Sequence, residues 1–151
     1  MGIRYDTYEL EPKDDVLSAV NRAPGYPLAE VDEQEMSAKL GLITDLGNNL
    51  SMFVQYAEGF KAPDYDSANL SFNNLAYGYG IVPNADLSPE TSKGTEVGFR
   101  GDNGVRSWSI TRFENQYEDF IESAVAGFDF INQIVLFQSQ NLDDVDTSGL
   151  E

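Results

Sequence analysis

Two runs of strict alternation joined by one tight turn constrain this chain most. Met36, Ala38, Leu40, Leu42 and Leu46 fall on one parity, and Ser37, Lys39, Gly41 and Asp45 on the other. After Gly47-Asn48-Asn49, the apolar parity returns in Leu50, Met52, Val54 and Tyr56, set against Ser51, Phe53, Gln55 and Ala57. A period of two places successive side chains on opposite faces of an extended strand, a pattern that no helix reproduces. Glycine and asparagine accept positive φ cheaply, so the segment predicts an antiparallel hairpin with two long arms.

The same reading extends in both directions. Ile3 to Leu10 alternates, with Ile3 and Tyr5 opposed to Arg4 and Asp6. Glu11 to Glu35 is polar and broken by Pro24 and Pro27, which predicts a long loop with at most one short turn from Asp14 to Val20. Val97 and Phe99 alternate with Glu96, Gly98 and Arg100, and Asp102-Asn103-Gly104 predicts a second short turn. Val105 to Ile121 is the longest expected strand. Its parity changes between Trp108/Ile110 and Phe113/Tyr117/Ile121, which a bulge near Arg112 reconciles. A loop from Ala124 to Phe130, a strand from Ile131 to Leu142 and a polar turn from Asp143 to Ser148 complete the expectation, with a further strand beginning at Gly149.

The fold class is therefore all-β: an antiparallel meander of long strands, in sequential order within one open sheet, with free edges at Ile3 to Leu10 and at Ile131 to Leu142. Leu40, Leu42, Met52, Val54, Val97 and Phe99 are expected on one continuous, exposed apolar face. A soluble sandwich, which would make the chain a soluble or surface-displayed binding module, produces the same alternation and is the alternative reading. Strand length separates the two, because sandwich strands tend to run ~5 to 6 residues and several here approach the ~10 that span a bilayer. Alternately short and long turns also follow the rule of outer-membrane barrels, which places the turns at Gly47, Asp102 and Asp143 on the periplasmic side and the longer connections outside.

Composition narrows the chemistry. The 151 residues include no cysteine and no histidine, which removes disulfides, thiolate metal sites and the commonest catalytic base. A net charge of -17, from 26 acids against 9 bases, excludes binding to a nucleic-acid backbone. Asn141 to Asp146 matches a calcium loop in composition alone, and Glu114, Glu118, Asp119 and Glu122 read as a wet strand face in place of a glycosidase pair. No catalytic residue, metal ligand or intrinsic cofactor is assigned.

Two boxes stand between the strands, Gly59-Phe60-Lys61-Ala62-Pro63 and Pro83-Asn84-Ala85-Asp86-Leu87-Ser88-Pro89-Glu90-Thr91-Ser92. Each proline fixes its own φ and keeps the residue before it extended, and Asn84 and Asp86 can bond their own backbone, so the boxes shape both ends of the loop. With Gly2-Ile3-Arg4-Tyr5-Asp6-Thr7-Tyr8, Glu96-Val97-Gly98-Phe99-Arg100 and Tyr117-Glu118-Asp119-Phe120-Ile121, the chain resembles TonB-dependent outer-membrane receptors over nearly its whole length. The boxes resemble the Phe-Arg-Ala-Pro and Asn-Pro-Asn-Leu boxes of the heme and hemoglobin receptors.

The resemblance implies that residues 1–151 are part of a receptor β-barrel of roughly 22 strands in a Gram-negative outer membrane. Plug and remaining strands lie outside this piece, and Met1-Gly2-Ile3-Arg4 runs into a strand without a signal-peptide pattern. The implied function is TonB-dependent uptake of heme or a heme protein, with a ferric siderophore as the alternative; heme enters as transported ligand. Implied partners are outer-membrane lipid, that ligand, and TonB acting through the plug. The pattern places a histidine between the boxes, whereas this chain offers Tyr65, Tyr77 and Tyr79 among Asn69, Phe72, Asn73 and Asn74. Tyrosinate is a known axial heme ligand and aromatic rings suit a porphyrin face. The candidate ligand-binding residues are Phe60, Lys61, Pro63, Tyr65, Tyr77, Tyr79, Asn84 and Leu87.

Overall fold

A computed structural model describes residues 1–13 and 26–151 of the chain; the turn expected from Asp14 to Val20 lies outside the described residues. The expected hairpin is present. β1 (Gly2–Leu10), β2 (Val31–Gly47) and β3 (Leu50–Lys61) pair antiparallel in register, Leu42 opposite Val54, with Asn48 and Asn49 both at positive φ in the turn. β2 begins five residues before the alternation does, and Val31 pairs with Leu10. Above the apolar stretch both faces of the strand are wet, so pairing continues where the period-two signal has gone.

Beyond β3 lie a short helix α1 (Tyr65–Asn69) and two three-residue strands, β4 (Phe72–Asn74) and β5 (Tyr79–Ile81). Then follow β6 (Glu90–Asp102), β7 (Ser107–Glu118), β8 (Phe120–Asp129), β9 (Ile134–Leu142) and β10 (Val145–Leu150). The strands form two sheets, β1-β2-β3-β6-β7-β10 and β4-β5-β9-β8. The expectation of one sheet is corrected accordingly: β1 is a free edge, but the other edge of the large sheet is β10, and β9 is interior to the small sheet.

The correction has a local cause. β7 and β8 form one arm of a long hairpin and β9 and β10 the other, because Phe120 pairs with Leu142 and Tyr117 with Val145 in one unbroken register. Between these pairs Glu118 and Asp119 face Asp143 and Asp144, and like charges opposite one another open the ladder. Asp119 takes φ 56° at this break. Asp143 to Ser148 is thus an interruption in a descending arm, with no reversal of direction, and the reversal falls at Phe130–Gln133 instead. Ala124 to Phe130, expected as a loop, is mostly strand.

The bulge expected near Arg112 is also absent, since β6 and β7 keep one register from Thr91–Glu118 to Asp102–Ser107. The two parities of β7 face opposite sides. Trp108 and Ile110 share a face with Phe99, Val97, Val54, Met52, Leu42 and Leu40, as the cross-strand pairs require. This apolar face is continuous, and among the described residues no second layer covers Leu40, Leu42 or Ile110. Glu114, Gln116 and Glu118, expected on the opposite face, lie on this one, toward the end that carries the longer connections. There Lys93 pairs with Glu118 at 2.7 Å and Arg112 pairs with Glu114. Phe113 and Tyr117 lie on the polar face with Arg100, Gln55 and Lys39. The aromatic rings there are seated over glycine: Phe53 lies against Gly98, and a Cβ on Gly149 would stand 2.6 Å from the Phe113 ring.

Candidate functional site

Among the described residues the buried apolar side chains gather beyond the end of the large sheet, in and beside a cap built from residues 62–89 and the β8–β9 hairpin. Ala68, Val82, Pro63 and Ile134 are buried there, Ile134 to 1% exposure. Pro63 ends the first box and steers the chain off β3 after Lys61, two residues later than Gly59. Asp64 then caps α1, its carboxylate accepting from the Ser67 N–H at 2.7 Å, and that bond holds the Asp64 carboxyl below its usual range.

β5 adds to β9 in parallel, Tyr79 beside Val135 and Ile81 beside Phe137, so the box loop joins the hairpin as two extra strands. Side-chain amides complete the joint. Asn84 donates to the Ser139 carbonyl at 2.8 Å, Gln138 to the Pro83 carbonyl at 2.8 Å, and Asn141 to the Ser88 carbonyl at 2.9 Å. Ser88 N–H returns a bond to Asn141 at 2.8 Å, and Asn84 also accepts from the Asp86 N–H, the local turn expected from the sequence. Glu90 accepts from the Ile121 N–H and pairs with Lys61 at 3.4 Å, tying both boxes to the base of the hairpin.

Of the candidate ligand residues, Pro63, Asn84 and Lys61 thus hold the loop, and Phe60 and Leu87 are half-buried. The three tyrosines are spread over the cap. Tyr65 opens α1 and is exposed. Tyr77 sits at the β4–β5 turn with 81% exposure. Tyr79 packs edge-to-face on Phe72 at 5.9 Å. Asn69, expected among them, is instead a buried clamp: its amide accepts from the Ala29 N–H at 2.7 Å and donates to the Ala29 carbonyl at 3.1 Å.

Sequence reasoning missed the second tip, Phe128 to Gln133. There Asp129 accepts from the N–H groups of Ile131 and Asn132 and from the Asn132 amide. These bonds, the Asn132 side chain first, keep the Asp129 carboxyl below its usual value. Its sequence signal was Asp-x-x-Asn between two alternating runs, a local hydrogen-bonding turn read as the end of a loop. Gln138 and Asn141, the amides that hold the second box, were likewise passed over inside an otherwise strand-like run.

Comparison with known proteins follows this architecture. Residues 1–151 match the family described as TonB dependent receptor-like, beta-barrel. Over 129 residues the chain is 33% identical to the hemoglobin and hemoglobin-haptoglobin-binding protein C of Haemophilus influenzae, covering 82% of this chain and 12% of that protein. It is 28% identical over 128 residues to the hemoglobin-haptoglobin utilization protein B of Neisseria meningitidis serogroup C, covering 83% and 16%. The chain therefore spans a small part of the length of these relatives. Among solved structures, the siderophore receptor PirA of Pseudomonas aeruginosa superposes with a TM-score of 0.68 at 25% identity, over 81% of this chain and 26% of that one. A double mutant of the Serratia marcescens hemophore receptor HasR, in complex with its hemophore HasA and heme, gives 0.70 at 16% identity over 99% and 26%, a likeness of fold alone. Because the family match runs through both sheets from the first residue to the last, the chain belongs to the TonB-dependent receptor β-barrel family.

Proposed function

We propose that these residues form one wall and part of the outer ligand-receiving surface of a receptor that imports heme from heme-carrying proteins. The observation that carries this reading is the joint between the boxes and the β8–β9 hairpin. The longer connections fold into a hydrogen-bonded cap at one end of the sheet, while the turns at Asn48 and Asn103 stay short at the other. Recognition residues accumulate on loops that a rigid scaffold positions, and long outer loops over short periplasmic turns are the barrel rule. The one-third identity to a hemoglobin receptor, which spans the boxes, favours heme protein as cargo.

On this reading the apolar face carrying Leu42, Val54 and Phe99 meets outer-membrane lipid, and the face carrying Lys39, Gln55 and Arg100 lines the lumen around the plug on which TonB acts. The reading is one of transport, without a catalytic role. A ferric siderophore is the second cargo reading, supported by the likeness to PirA.

Growth on a single iron source tests the cargo. Iron-starved cells dependent on a receptor of full family length carrying these residues should grow on hemoglobin and on hemin, but not on ferric enterobactin; the reverse result transfers the function to siderophores. In the same receptor, joint replacement of Tyr65, Tyr77 and Tyr79 by alanine should weaken hemin or hemoglobin binding, and unchanged affinity for both would remove the tyrosines from the site.

A further inference from the structure

Two turns at the far end of the cap hold large apolar side chains out into solvent. Pairing of β5 with β9, together with a bond from the Val135 N–H to the Gly78 carbonyl at 3.0 Å, sets the Leu75–Gly78 turn beside the Phe130–Gln133 turn. On them Tyr77, Phe130 and Ile131 are 81%, 84% and 92% exposed, and Leu75 and Phe128 are exposed too. Neither turn is slack. Asn74 accepts from the Tyr77 N–H through both its carbonyl and its side chain, Asp129 and Asn132 close the second turn, and Phe128 packs edge-to-face on Phe130 at 5.1 Å. Apolar groups fixed in that position form a patch of the kind that marks an interaction site.

The shape and charge of the surroundings select the occupant. A small ligand binds in a concavity that buries most of its surface, and side chains this exposed stand on a convex prominence. Residues 62–92 and 119–144, which make the cap and its root, hold nine aspartates and glutamates and not one lysine, arginine or histidine. Lys61, just below, is engaged with Glu90. The propionates of heme and the anionic oxygens of ferric siderophores are repelled by such a surface, whereas a protein with basic side chains around an apolar hollow is attracted to it.

We propose that the paired tips are the docking element for a soluble heme-carrying protein: Tyr77, Phe130 and Ile131 enter an apolar hollow on that protein, and its lysines and arginines face the acidic cap. This rests on the heme-protein reading above and assigns the protein contact to the tips, leaving free heme to be received elsewhere. The acids steer the encounter and the aromatic anchors hold it, the division of labour expected at protein interfaces.

The test uses the receptor of full family length in outer-membrane vesicles, with hemoglobin, lysine-acetylated hemoglobin and hemin as probes. The Phe130→Ser, Ile131→Ser double variant changes side chains that stand almost wholly in solvent, so the barrel should assemble as before. It should bind hemoglobin at least tenfold more weakly and hemin as the parent does, and acetylation should weaken hemoglobin binding to the parent. In an Ile131→Cys variant, a membrane-impermeant maleimide should react before hemoglobin is added and be blocked after. Equal hemoglobin affinity in parent and double variant overturns the proposal, as does equal loss of both probes. A cysteine that is unreactive in the empty receptor, because another part of the receptor covers the tips, overturns it as well. Protection by lipopolysaccharide and not by hemoglobin would assign the tips to the membrane surface and overturn it too. A parent that binds neither heme probe refutes the heme-uptake reading itself, a failure distinct from the loss of the tips alone.

Discussion

The large sheet and the cap are made of the same kind of strand, yet they are stabilised in different ways. In the large sheet the inner strands are paired on both sides in a single layer, with β1 and β10 as its edges, and among the described residues nothing covers the apolar face from Leu40 to Ile110. The cap buries Ala68, Val82, Pro63 and Ile134 and closes its joints with amides, so its stabilisation lies within the chain itself. On the proposed function, a barrel wall facing lipid and a ligand-receiving cap facing water can therefore vary independently, because they answer to different solvents.

Ile134→Ala separates the regions most sharply. Loss of a fully buried isoleucine should cost about 2 to 5 kcal/mol, confined to the cap; hydrogen exchange should accelerate in α1, β5 and β9 and remain slow in β2, β3 and β6. Equal acceleration in both sheets would show that cap and wall unfold as one unit. Val54→Arg probes the other side of the contrast. If the Val54 face meets lipid as proposed, it should cost roughly 2 to 4 kcal/mol in a folding titration into lipid, and Gln55→Arg, one residue on, far less. Similar costs at the two positions would mean that both faces meet the same medium.

Acid gives the smallest effect. Asp64 and Asp129 are held below the ordinary aspartate value of 3.8 by the hydrogen bonds they accept, so each contributes stability above that value and loses it as pH falls through its lower folded value. Below about pH 4 the α1 cap and the Phe130 turn should loosen before the sheet does, seen as faster amide exchange at Ser67, Ile131 and Asn132. Asp64→Asn and Asp129→Asn should flatten that dependence.

What the sequence determined by itself was the wall. Alternation in Met36 to Tyr56 and around Val97 separates an apolar face from a polar one, and the turn glycines and asparagines give the reversals, so the β2–β3 and β6–β7 hairpins and the apolar band from Leu40 to Phe99 could be read from residue order, whereas the face of Glu114 to Glu118 could not. The boxes also announced their backbone role, since proline and asparagine act locally. Only the tertiary structure decided the cap. Asn69 looked like a ligand-loop residue and is a clamp on Ala29, 40 residues away in sequence. Asn84 and Gln138 are 54 positions apart and serve the same joint, and Asp143 and Asp144 read as a turn until their facing Glu118 and Asp119 across one ladder showed a break. These relations are long-range. A side-chain amide carries no periodic signal, and strands wet on both faces lose theirs, so the meeting of the box loop and the hairpin is fixed by packing and hydrogen bonding that appear once the chain has folded.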